Sequence, residues 1–226
     1  MSSEGSRFTL YKWTTGLGAG LMQSLVYFAV GHAQFARSTE LLRTRLDDAI
    51  PFLPASAWLY LPIYGAIFLI SMASFRTRAH FNRGLVGVGA ILLVGLVCHR
   101  FIPAEYPRPL LHPPFRNVSY AFMAWVQAVD PPGNVFPSLH VAHTWSLALI
   151  VHHENRRLGR ILIVMAALLA LSTLTTKQHF VADVVSGLLL AVVTRLVVLR
   201  GVAPATAPIV AGVTSVPLPA DVEPAR

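Results

Sequence analysis

Residues 172–187 read STLTTKQHFVADVVSG, polar in the first half and apolar in the second. The apolar part continues to Leu199, which is long enough for a bilayer-crossing helix. His179 and Asp183 stand where polar gives way to apolar, four residues apart. On a helix that spacing stacks them on one face, one turn apart. A carboxylate so placed can accept the imidazole N–H, fix the tautomer and make the other ring nitrogen a good nucleophile. A polar pair closing a helix end, with no chemistry, would show the same spacing. A carboxylate in a lipid-spanning segment costs about 2.5–3.5 kcal/mol on insertion scales, which weights the pair toward function.

The rest of the chain supports a membrane setting. Of its 226 residues, 54% are hydrophobic and 12% charged, where a soluble domain carries roughly a quarter. The composition is that of an integral membrane protein, and helices are the expected spanning form because each satisfies its own backbone. The single cysteine, Cys98, excludes an internal disulfide and a cysteine-based metal site. The net charge of +8 fits membrane topology and anionic lipid. No basic run is interleaved with aromatics, so nucleic acid is not an expected partner. The N-terminus lacks an early apolar core with a small-residue cleavage site, so the first span is expected to act as an anchor.

Apolar stretches predict an all-α, polytopic membrane protein with six transmembrane helices: 14–35, 58–75, 84–102, 138–151, 161–176 and 180–199. A short interfacial helix over 119–129 precedes the fourth span, and 47–54 suggests another, broken by prolines. Trp58, Tyr60 and Tyr64 suit an interfacial aromatic belt. Residues 1–200 form one membrane-embedded domain, and the Pro/Ala/Val/Thr-rich tail 201–226 reads as disordered. Basic turns at 76–83 and 152–160 place both termini on the cytoplasmic side.

On that topology a second constellation meets the first. Residues 134–144 read NVFPSLHVAHT. Pro137 and Ser138 are helix-start residues, and a helix N-terminus offers free N–H groups to an anion. His140 lies in that first turn, placed to protonate a leaving oxygen; simple capping by Ser138 is the other reading. Arg108, with Pro109, and Arg100 come before it, and guanidinium groups donate paired bonds to phosphate. His140, His179, Asp183, Arg108 and Lys177 all fall at one face of the membrane. His140, His143, His179 and Asp183 could also ligate zinc, a reading that predicts sensitivity to chelators.

The motif Phe136-Pro137-Ser138-Leu139-His140, with His179-x-x-x-Asp183, resembles the type 2 phosphatidic acid phosphatase superfamily. Pro137, Ser138 and His140 match its Pro-Ser-x-His motif, and Ser172, His179 and Asp183 match its third motif. Thr173 stands where that motif has arginine, and Lys177, two residues before His179, is the expected substitute for its charge. Arg108-Pro109 matches the end of the first motif, with Phe101 at the lysine position and Arg100 one place away. The pattern TKQHFVADVVSG, with IPFLP upstream, resembles the branch containing inositol phosphorylceramide synthases.

The resemblance implies a metal-independent lipid phosphatase that cleaves a lipid phosphoester or pyrophosphate through a phosphohistidine. The alternative it implies is transfer of a phospho-alcohol headgroup between lipids. His179, oriented by Asp183, is then the nucleophile and His140 the acid. Ser138, Arg108, Lys177 and Arg100 hold the phosphoryl oxygens. No cofactor is implied. The partners are a lipid phosphate substrate and membrane lipids, in a bacterial plasma membrane with the site on the extracytoplasmic face. Two titrating imidazoles predict a bell-shaped rate profile.

Overall fold

A computed structural model of the chain describes residues 3–33 and 42–202. The described residues are helical: α1 (Ser3–Ala33), α2 (Arg45–Ala49), a 3-10 turn (Pro54–Ser56), α3 (Ala57–Ser74), α4 (Arg78–Phe101), α5 (Val118–Val129), α6 (Leu139–Glu154), α7 (Arg156–Thr175) and α8 (Val181–Val198). Among them the one β feature is an isolated bridge between Ala104 and Asn134. The end of the first expected span and nearly all of the expected tail lie outside the described residues.

Four helical segments are long and apolar enough to cross a membrane, Pro54–Ser74, Arg78–Phe101, Arg156–Thr175 and Val181–Val198. They mark an integral membrane protein. Of the other two expected spans, α6 has only 16 residues, short of the roughly 20 that a bilayer core requires. Helix α1 is diluted by Gly, Ser, Thr and Gln. Both run within the same bundle: α6 packs against α3, α4, α7 and α8, and α1 against α3 and α4. Ten of the sixteen α6 residues are buried, so α6 is the axis, shielded by its neighbours. A shielded helix can carry His143, Thr144 and Ser146 inside the bundle, where a lipid-facing one could not.

The expected basic turns are shorter than their charge pattern suggests. Helices α6 and α7 are separated by Asn155 alone, which caps α7 by accepting from Leu158 N at 3.1 Å. His152 and His153 therefore end α6, and Arg156, Arg157 and Arg160 begin α7. At the same end, Lys12 donates to the carbonyls of Ala73 and Phe75 at 3.3 and 3.0 Å, a cation on the C-terminus of α3.

The opposite end carries the amphipathic α5. Asn117 caps it through Ser119 N and Tyr120 N. Met123 and Val126 bury against Ala57 and Tyr60, while Trp125 is exposed. Trp58 stacks on Phe122 with ring centroids 4.0 Å apart. The aromatic belt expected from Trp58, Tyr60 and Tyr64 divides here. Trp58 is exposed, whereas Tyr60 is fully buried and Tyr64 half-buried. Tyr60 and Tyr64 are four apart and share one helix face; Trp58 points elsewhere.

Candidate active site

The α7–α8 turn builds the site from one side. Thr176 ends α7, then Lys177 N bonds to Leu174 O at 3.2 Å and Gln178 N to Thr173 O at 3.0 Å. These are the paired bonds of a Schellman turn, whose left-handed position glycine usually fills. Here Lys177 fills it, with φ 56. Its Nζ donates to the carbonyls of Asp47 and Ile50 at 2.7 and 2.6 Å, pinning the loop that carries α2. Burial lowers this ammonium from its ordinary value, against the opposing pull of Asp47 and Asp48. Lys177 was expected on the phosphoryl group; the structure places it on loop carbonyls instead.

The turn leaves His179 just before α8, so the pair does not share a helix face as the spacing suggests. Phe180 is the N-cap and Asp183 the third helical residue. Asp183 Oδ2 accepts from Phe180 N at 2.7 Å and lies 3.4 Å from His179 Nδ1. The nearer acceptor for Nδ1 is the carbonyl of Val135, at 3.1 Å. Two acceptors at Nδ1 assign the proton there, and Nε2 is left with a free lone pair. Asp47 caps the same helix, accepting from Val181 N at 2.7 Å.

The N-terminus of α6 builds the other side. Ser138 Oγ accepts from Val141 N at 3.4 Å, and Ser138 N donates to Asp183 O at 3.1 Å. This close crossing needs Gly187, since a Cβ there would stand 2.6 Å from the Ser138 carbonyl oxygen. It brings His140 Nδ1 to 3.5 Å from His179 Nε2, with ring centroids 5.8 Å apart. A cavity of about 210 Å³ opens beside His140, lined by Gln23, Tyr27, Tyr60, Tyr64, Asp130 and His143 among others.

Behind His140 lies a network absent from the sequence expectations. Tyr60 OH is 2.9 Å from His140 Nε2 and 3.2 Å from Asp130 Oδ2. Tyr27 OH donates to Asp130 Oδ1 at 2.8 Å. Arg108 closes the group, donating to Asp130 O at 2.5 Å and lying 3.4 Å from Asp130 Oδ2. Tyr60 OH also lies 3.2 Å from His140 Nδ1; with Tyr60 donating to Asp130, its oxygen is left to accept, and the shorter contact assigns that bond to Nε2–H, while Nδ1 faces His179. Arg108 therefore reaches the site through Asp130. The signal available in the sequence was Arg108 itself, since a buried guanidinium needs an acid.

Two expected residues stand apart. Arg100 is exposed, its guanidinium 5.8 Å from the Phe101 ring centroid. Its neighbour His99 is buried, because successive helix positions point about 100° apart. His143 lies one turn below His140 but faces Gln23 Nε2 at 3.1 Å and the Val88 carbonyl at 3.3 Å. It is thus turned from His179 and Asp183, and no three metal-ligating side chains converge among the described residues.

The geometry is that of a helical membrane protein with two facing imidazoles, one backed by an acid and a carbonyl, at the meeting of a turn and a helix N-terminus. The chain belongs to the PAP2 superfamily, whose model matches residues 29–197. A solved structure, that of Aquifex aeolicus LpxE, is similar at 17% identity, over 77% of this chain and 93% of that chain, with a TM-score of 0.44. No curated protein matches the chain.

Proposed function

We propose that the protein is a lipid phosphatase that works through a phosphohistidine at His179. One observation carries this reading: His179 Nε2, freed for attack by the acceptors at Nδ1, faces His140 at 3.5 Å in a chain of the PAP2 superfamily. His179 Nε2 attacks phosphorus, the bond to the lipid oxygen breaks, and His140, entering as the imidazolium, gives its Nδ1 proton to that oxygen. Water then attacks the phosphohistidine, passing a proton to His140 and releasing phosphate with His179 restored.

An in-line arrangement needs roughly 3–3.5 Å from nitrogen to phosphorus and a further 2.6–3.2 Å from leaving oxygen to acid. The 3.5 Å between the rings is a closed spacing, and the adjoining cavity gives His140 room to withdraw. The free N–H groups at the start of α6, with the Ser138 hydroxyl, offer donors to the phosphoryl oxygens. Asp130 and Tyr60 orient His140. Arg108 holds Asp130.

We further propose six crossings, with α1 and α6 as the first and fourth, and a site on the extracytoplasmic face. In purified protein, rapid acid-free quenching with labelled lipid phosphate should trap a phosphoenzyme. His179→Ala should abolish both the trapped label and phosphate release; release by His179→Ala at the native rate would sink the reading. Supplying an acceptor alcohol or ceramide in the same assay separates hydrolysis from headgroup transfer, which would yield a new lipid instead of free phosphate.

A further inference from the structure

Below the chamber beside His140 lies a second cavity that the phosphoryl chemistry does not use. It too measures about 210 Å³ and runs between α1, α3, α4 and α6. Gly20, Gly65, Phe68, Met72, Leu85 and Leu147 contribute to its wall. The two cavities share Gln23, Ser24, Tyr64 and His143. At this waist Gln23 Nε2 lies 3.1 Å from His143 Nδ1 and 3.5 Å from the Tyr64 hydroxyl. Beyond it the lining side chains are apolar, save Thr144, whose hydroxyl donates to the His140 carbonyl at 2.7 Å.

We propose that this lower cavity receives one apolar chain of the substrate lipid, so that chain length helps to select the substrate. The inference rests on the lipid-phosphatase reading and adds where the chain lies. Continuity supports it, because the cavity leaves the chamber at the side of His140. Chemistry supports it, because apolar cavities stay dry and take apolar ligands, while protein interiors otherwise leave few voids above the size of water. The wall supports it as well: a Cβ built on Gly65 meets nothing within 4 Å. At the roughly 30 Å³ that a water takes up in the liquid, the space would hold about seven units of that size, room for a short stretch of alkyl chain.

Gly65→Leu tests the proposal by putting a branched four-carbon group into that space. The full chain in nanodiscs is given n-alkyl phosphates from ethyl to dodecyl, and kcat/KM is compared between wild type and variant. Partition into the bilayer cancels in that ratio. The ratio should stay near one for the shortest chains, then rise by about fourfold per methylene as the chain reaches the blocked space. A ratio that is flat along the series overturns the proposal.

A second measurement does not need turnover. A decylphosphonate with a terminal diazirine should label Phe68, Met72 or Leu85, and Gly65→Leu should suppress that label. Labelling confined to the outward Leu17, Leu21 and Leu69 would show a chain lying in the bilayer and overturn the proposal. If no alkyl phosphate is turned over, the phosphatase reading fails while the labelling still decides what the cavity holds.

Discussion

Replacing Tyr60 by phenylalanine cuts the relay behind His140 at its middle. Tyr60 is fully buried, and its hydroxyl links Asp130 Oδ2 at 3.2 Å with His140 Nε2 at 2.9 Å. The ring is retained, so packing changes by one oxygen. Asp130 keeps Tyr27 at 2.8 Å and Arg108 at 3.4 Å; His140 Nε2 loses its acceptor. One buried donor without a partner costs about 1–3 kcal/mol. If that cost falls on the productive orientation of His140, turnover drops roughly 5- to 150-fold. Leaving groups separate this from general damage, since proton donation matters for a departing alkoxide and little for p-nitrophenolate. Phosphate release from an alkyl or lipid phosphate should therefore fall within that range, while release from p-nitrophenyl phosphate holds. Equal loss on both substrates, or loss on neither, refutes the relay.

Other substitutions test individual placements. Arg100→Ala should change stability and turnover by no more than about 0.5 kcal/mol, as for an exposed side chain without partners in the site; a large loss of kcat/KM would return Arg100 to the phosphate. Lys177→Ala should lower the melting temperature, because it loses the loop clamp and keeps the left-handed backbone, and Lys177→Gly should recover roughly 1 kcal/mol of that loss. Lost turnover with unchanged melting would instead put the ammonium on the phosphoryl group. Gly187→Ala forces α6 from α8 and should cost about 1–3 kcal/mol in stability. A shift near 1 Å between His140 and His179 would cost on the order of a hundredfold in turnover, and native turnover would show that the crossing tolerates a methyl.

The bundle was legible because lipid-facing helices advertise themselves by length and apolarity. Helices α3, α4, α7 and α8 meet that test, and expected spans over the same segments differ from them mainly at the ends. Helix α6 was legible for a different reason, its start signal at Pro137 and Ser138, since a shielded axial helix need not be uniformly apolar. What local pattern could not show was which helical face turned inward. Tyr60 and Trp58 are equally aromatic, yet α5 buries the first completely and leaves the second, stacked on Phe122, partly exposed. The basic stretches misled in the same way, because charge runs mark a membrane end without saying whether the residues lie in a turn or in the flanking helix.

The candidate site divides along the same line. His179 and Asp183 lie within one turn of chain, so their relation was visible as spacing, although a cap and not a helix face produces it. Tyr27, Tyr60, Asp130 and His140 meet across separations of 70 to 103 residues, and no local pattern reports such a meeting. Arg108 shows the consequence. Residue type and the motif resemblance together assigned it to phosphate, but a buried guanidinium takes the strongest acceptor within reach, and Asp130 supplies one. On the proposed reading, a phosphoryl group would have to compete with that carboxylate for the same N–H donors. Whichever partner Arg108 holds, Asp130 stays fastened to Tyr27 and Tyr60. Arg108 and His140 are thus joined through Asp130 and Tyr60, a link across the fold that the local sequence around neither residue reports.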